Sequence, residues 1–220
     1  MGAQHPWRIC PLGEHWRKPH PKKGTRGVRG HCVKNPSKKD QLYSDELYEI
    51  AEKYFSKLKG APISQTLGYP QGNKFDELIR GWCKYWNEIF LPLTPLDPNL
   101  VKALIATESG FRATVKIKDG KGQGYATGLM QITDTTQKIL ADEKGELKDH
   151  YVNIDQKVLT NPNFNIAAGV RWLFRKREIV SSKLRREASW EETILFYKGY
   201  KDLNHPQMKK LLNLYQRLNK

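Results

Sequence analysis

The sequence has no apolar run approaching the roughly 20 residues that a helical membrane span needs. Only 38% of its 220 residues are hydrophobic. It also lacks an apolar leader. Met-Gly-Ala-Gln-His-Pro-Trp-Arg is polar and aromatic, so no cleaved secretion signal is expected there. Position six is neither Ser nor Thr, which makes a poor match to a myristoylation site. Cysteine is scarce: Cys10, Cys32 and Cys83 are few and odd in number, which argues against a disulfide framework. No segment repeats at a fixed period. Acidic residues are few, 23 against 38 Lys and Arg, leaving a net charge of +15. Such a chain should adhere to polyanions, whether nucleic acid, acidic lipid or an acidic wall polymer. Charge alone does not choose among them.

What is present falls into two parts. Residues 1–40 carry ten basic residues against two acidic ones, more than half of the excess charge. Four of the six histidines, His5, His15, His20 and His31, also lie here, among recurring Pro and Gly and without apolar periodicity. Cys10, His15, His20 and Cys32 offer one tetrahedral zinc set, with His31 as an alternative ligand. Zinc would let a segment with almost no core hold a fold. The spacing matches no standard finger. A disordered basic arm and a Cys10–Cys32 disulfide are the competing readings.

Residues 41–220 read as one mainly helical body, long enough to enclose a full core. Apolar periodicity predicts a helix over 41–59, capped by Ser44 or Asp40, then a Pro/Gly loop over 61–73. A second helix over 74–91 carries Phe75, Ile79, Trp82 and Trp86, a stripe that suits a core better than a stacking platform. Pro92, Pro95 and Pro98 force a turn. Residues 114–120 alternate and reach Asp119-Gly120, a hairpin signal. Asp134-x-x-Gln137 reads as a capping box, and residues 142–158 as a charged surface excursion. Three further helices are expected, over 163–177, after the Ser189-x-x-Glu192 box, and from Pro206. Cys83 reads as a small buried apolar residue.

Residues 97–111 stand out. Asp97 suits an N-cap, Pro98 the first helical position and Gly110 a C-terminal stop. Val101, Leu104 and Ile105 form an apolar stripe, and Glu108 lies on it. Burial would raise the pKa of such a carboxylate and let it deliver a proton. The plainer reading is a structural ion pair with one of the many lysines.

Leu104-Ile-Ala-Thr-Glu108-Ser109-Gly-Phe111, Gly128-Leu-Met130-Gln131-Ile, Asn165-Ile-Ala-Ala-Gly169 and Phe196-Tyr197 follow one another in an order and spacing that resembles the SLT-type lytic transglycosylases. These are peptidoglycan-cleaving enzymes of the lysozyme-like superfamily, related to goose-type lysozymes. The resemblance spans about residues 97–200 and implies an α+β lysozyme-like fold with a small β region beside the acid-bearing helix. It implies Glu108 as acid and base, and a glycan cleft lined by Ser109, Met130, Gln131 and Tyr197. Asn165 matches a position read as structural. One departure stands out: Lys198 replaces the asparagine expected after the tyrosine.

The reaction so implied cleaves the MurNAc-β-1,4-GlcNAc bond and yields a 1,6-anhydro-MurNAc product, with no catalytic cofactor. Asp119 or Asp134 facing Glu108 would instead favour a hydrolytic, goose-type muramidase. Their plainer roles are turn residue and helix cap. Lys198 would contact substrate, act on Glu108 or face solvent. The expected partners are peptidoglycan glycan strands and other anionic wall polymers. A basic zinc-stabilised nucleic-acid binder and a non-catalytic wall-binding protein are the readings from other classes. With no leader evident, a phage endolysin, a mobile-element lysin or a secretion-system component would fit.

Overall fold

A computed structural model describes residues 7–21, 23, 24, 27–36, 39–120, 122 and 124–220. His5, Lys22, Arg26 and Lys38 of the basic segment lie outside these residues, as do Lys121 and Gln123 of the expected hairpin. The described part is mainly helical, with three small sheets.

The chain wraps around α3 (Pro98–Glu108), the helix singled out above. Asp97 caps it by accepting from the Asn99 amide at 2.8 Å, and Pro98 occupies its first turn. Every residue from Asn99 to Ala106 is buried, so α3 is enclosed on all sides rather than along one stripe. α2 (Asp76–Phe90) and α7 (Pro206–Leu218) pack against it. α5 (Pro162–Leu184) runs across α2 and meets α6 (Trp190–Lys198). The indoles of α2 belong to this core. Trp82 Nε1 donates to Asn163 Oδ1 at 2.8 Å and Trp86 Nε1 to the Ala167 carbonyl at 3.1 Å. Buried indoles need such acceptors, and α5 supplies both.

Lys102 is fully buried within α3. Its ammonium donates to the Ile63 carbonyl, Asn73 Oδ1 and Asp76 Oδ2 at 2.7, 3.0 and 2.9 Å, which fastens the 61–73 loop. All three of its donors find acceptors, and that makes the buried charge tolerable.

Three small sheets surround this bundle. β1 (Glu14–Arg17) and β2 (His31–Lys34) form an antiparallel hairpin. β3 (Gln41–Tyr43) pairs in parallel with β7 (Tyr151–Asn153). β4 (Lys116–Lys118), β5 (Tyr125–Thr127) and β6 (Ile132–Thr133) form an antiparallel sheet beside the end of α3.

Several expectations need correction. The first helix, α1 (Ser44–Tyr54), starts three residues late because Gln41–Tyr43 is taken by the strand. Neither Ser44 nor Asp40 caps it. The 142–158 stretch is not a mere surface excursion. It buries Leu147, Tyr151, Val152 and Ile154, and β7 fixes the chain entering α1. α4 (Asp134–Ala141) is capped by Thr133, which accepts from the Thr136 amide at 3.1 Å, and Gln137 donates to the Ile154 carbonyl instead of closing a box. α5 runs on to Leu184, past the expected end at 177.

The zinc set is not assembled. Cys10 and Cys32 are joined in a disulfide, the competing reading, so neither sulfur is available as a thiolate ligand. His15 Nδ1 is hydrogen-bonded to Asn35 Oδ1, while His20 and His31 each meet a nearby backbone carbonyl. Among the described residues no cluster of three or more His, Cys, Asp or Glu is arranged to hold a metal.

The segment is tied to the helical body through Trp7 and Arg8. Trp7 packs edge-on against Tyr54 and Phe55. Arg8 is buried and pairs with both Asp40 and Glu46, the latter at 2.7 Å. Two buried carboxylates thus share one guanidinium. Burial pushes Glu46 up to about 7, against the pull of Arg8. Burial also raises Asp40, but His150 and Arg8 outweigh it and hold its carboxyl below the usual value.

Candidate active site

Glu108 is the last residue of α3. The helix stops there because Gly110 and Phe111 both take left-handed backbone conformations, φ 59° and 61°. Phe111 can hold that conformation because its ring is fully buried against Tyr69. The carboxylate therefore emerges at the edge of the core, partly exposed, into a cleft of about 720 Å³. One wall is the β4–β6 sheet, with Ile117, Lys118, Asp119 and Ala126. The floor carries Gln131, Ile132 and Thr133, and α6 and its exit supply Phe196, Tyr197, Lys198 and Tyr200.

Gln131 sits on the floor with φ 51°, and its side-chain amide donates to the Gly128 carbonyl at 2.8 Å. Tyr197 lines the cleft and donates its hydroxyl to the Met130 carbonyl at 2.6 Å. Burial, and then the nearby Glu108 charge, push the Tyr197 phenol well up, so it stays a neutral donor. Asn165 anchors the floor from below. Its Oδ1 accepts from the Met130 amide at 2.8 Å, and its Nδ2 donates to the Thr127 and Leu159 carbonyls, both at 2.9 Å.

Two residues expected in the cleft lie off its walls. Ser109 is buried, and its hydroxyl turns back toward the Ile105 carbonyl at 3.3 Å. The Met130 side chain is fully buried over Gly169, where a Cβ would meet its sulfur at 2.3 Å. Met130 thus reaches the site through its backbone, and its contact explains the helical glycine. Of the two candidate second carboxylates, Asp134 is spent as a clasp. It accepts from the Tyr125 amide at 3.0 Å and from Gln156. Asp119 does line the cleft.

Lys198 is not directed at open solvent. Its ammonium pairs with Glu108 and lies 3.3 Å from Thr107 Oγ1, and its side chain is only 4% exposed. Sequence reasoning missed the far end of the cleft. Trp172, Lys176 and Phe196 line it, with the Lys176 ammonium 4.7 and 4.8 Å from the two ring centroids. Trp172 and Lys176 stand at i and i+4 on α5, a spacing that places them on one face.

Residues 94–198 match the family model of the transglycosylase SLT domain. This stretch is an SLT domain. It runs from the turn before α3 to the last residue of α6, so Glu108, Gln131, Tyr197 and Lys198 all fall inside it. An SLT domain of lysozyme-like fold implies cleavage of peptidoglycan glycan strands. The β1–β2 hairpin, α1, α2 and α7 lie outside the matched residues. No curated protein and no solved structure gave a significant match to the chain.

Proposed function

We propose that the protein is a peptidoglycan lytic transglycosylase in which Glu108 serves as acid and then as base. The observation that carries this reading is the placement of Glu108 at the wall of a polar cleft inside an SLT domain. Protonated Glu108 gives its proton to the glycosidic oxygen between MurNAc and GlcNAc as the C1–O bond breaks. The resulting carboxylate takes the proton of the MurNAc C6 hydroxyl as that oxygen bonds to C1. One group thus serves both halves, the product is a 1,6-anhydro sugar, and neither water nor a cofactor is consumed. Help of this kind is worth roughly 10²–10⁴-fold.

Gln131 and Tyr197 bound the cleft beside the acid, and Trp172, Lys176 and Phe196 line it further along. The Cys10–Cys32 disulfide fits an oxidising compartment, where the wall lies. The basic hairpin suits retention on anionic wall polymers.

A second reading, hydrolysis, is favoured by one observation: Asp119 lines the same cleft and could hold a water. Digestion of purified sacculi separates the two. Anhydro products, lighter by one water, are expected from the wild type, with nearly complete loss in Glu108→Gln. Reducing-end muramic acid would replace the transglycosylase reading with the hydrolytic one. Undiminished lysis by Glu108→Gln would remove Glu108 from the reaction.

A further inference from the structure

Resting on the reading of Glu108 as the reacting acid, we propose that Lys198 is its positioning residue: the ammonium clamps the resting carboxylate, and the clamp sets the pH range in which the site works. The ammonium is built in rather than draped over the surface. Lys198 is the last residue of α6, where the helix's carbonyl end favours a cation. Gly199, at φ 72°, turns the chain so that Tyr200 comes back alongside, its ring 5.9 Å from the ammonium. Thr107 donates its hydroxyl to the Leu104 carbonyl at 3.0 Å, so its oxygen is left to accept from Lys198. The Lys198 side chain is more enclosed than its partner, 4% exposed against 17% for Glu108. An ammonium so enclosed is costly to keep without an anion beside it. The carboxylate is therefore part of what holds Lys198 in place, and Lys198 fixes the carboxylate's direction.

The other titratable groups around Glu108 differ in kind. Tyr197 and Tyr200 have phenols pushed up, by burial and then by the Glu108 charge, and stay neutral. Lys118 and Asp119 on the β4 side, Glu146 from the loop before β7, and Lys176 on α5 line the cleft. Before donating a proton, Glu108 must take one up, and the clamp opposes that by favouring the charged form. Removing the ammonium while keeping the side-chain length should release it.

The test uses the full chain in two measurements. The first follows the Lys198 ammonium by nitrogen-15 NMR. A resolved, slowly exchanging signal is expected in wild type and should be lost in Glu108→Gln. A signal unchanged by that substitution overturns the clamp, whether or not the enzyme turns over. The second records kcat/KM for muropeptide release across pH. The alkaline limb of Lys198→Met should move up by about 1–3 pH units, the usual effect of an opposite charge at this range. Lys198→Arg, which keeps the charge, should stay with wild type. Superimposable limbs for a folded Lys198→Met overturn the proposal. So does a folded Lys198→Met that is dead at every pH, because the ammonium would then act in the reaction itself. If Lys198→Met does not fold, Lys198→Gln takes its place with the same expectations. A wild type that shows the clamped signal but releases no muropeptide at any pH refutes the functional reading and leaves the clamp standing.

Discussion

Asn165 offers a sharp test of how the cleft floor is held. Its side chain is 1% exposed and makes three hydrogen bonds of 2.8–2.9 Å, to the Met130 amide and to the Thr127 and Leu159 carbonyls. Replacement by Ala removes all three. Each is worth about 1 kcal/mol net, and groups left without partners add to the loss, so about 3–4 kcal/mol is expected. For a domain of this size that is a fall in Tm of about 6–16 °C. Asn165→Asp should be at least as costly, although it keeps the shape and the acceptor. Its second oxygen would face two carbonyls that now receive a donor, and it would bring a buried charge. Thermal melts of the two variants at neutral pH check this, together with muropeptide release, which should fall because Gln131 follows Met130 on the same turn. An Asp variant as stable as wild type would refute the hydrogen-bond assignment. An Ala variant within about 1 kcal/mol of wild type would refute the anchoring role.

Gly128 stands against the same anchor at φ 79°, and a Cβ there would meet Asn165 Nδ2 at 2.3 Å and the Leu159 carbonyl at 2.6 Å; Gly128→Ala should lower stability by about 1–3 kcal/mol in urea titration. Gly169→Ala should cost less, because its obstacle is the flexible Met130 side chain, and pairing it with a shorter residue at 130 should recover stability in a double-mutant cycle. Reducing the Cys10–Cys32 disulfide, whose ends stand 22 positions apart in the chain, should weaken the hairpin by up to about 3 kcal/mol, seen as faster amide exchange over Glu14–Arg17 and His31–Lys34. Glu46, pushed up to about 7, favours the fold in its protonated form; the stability it contributes is fully present below its unfolded value of 4.5 and is lost as pH rises through about 7. The stability difference between wild type and Glu46→Gln should therefore change by no more than about 3 kcal/mol between pH 4 and pH 8, in favour of the Gln variant at the higher pH.

The local chemistry of single elements was legible in the sequence. Asp97-Pro98 and Ser189-x-x-Glu192 open helices where expected, because a capping side chain needs only the backbone amides two or three residues on. Gly169 announced a close contact, and the motifs at Glu108, Met130-Gln131, Asn165 and Tyr197 pointed to the SLT domain before any coordinates. What the sequence could not rank were pairings between distant residues. The choice between zinc and disulfide for Cys10 and Cys32 turns on whether two strands bring the sulfurs together. Asp134 looked like a cap, but Thr133 holds that position and Asp134 reaches back to the Tyr125 amide. Ser109 and Met130 follow the motif and yet turn into the core, since a motif fixes the backbone path and packing decides which side chains face the cleft. Glu108 was legible as an acid at the end of an apolar helix. That its partner is an enclosed Lys198, 90 residues further on, was decided only where α3 and α6 end side by side, because ion pairing depends on distance in space and not along the chain.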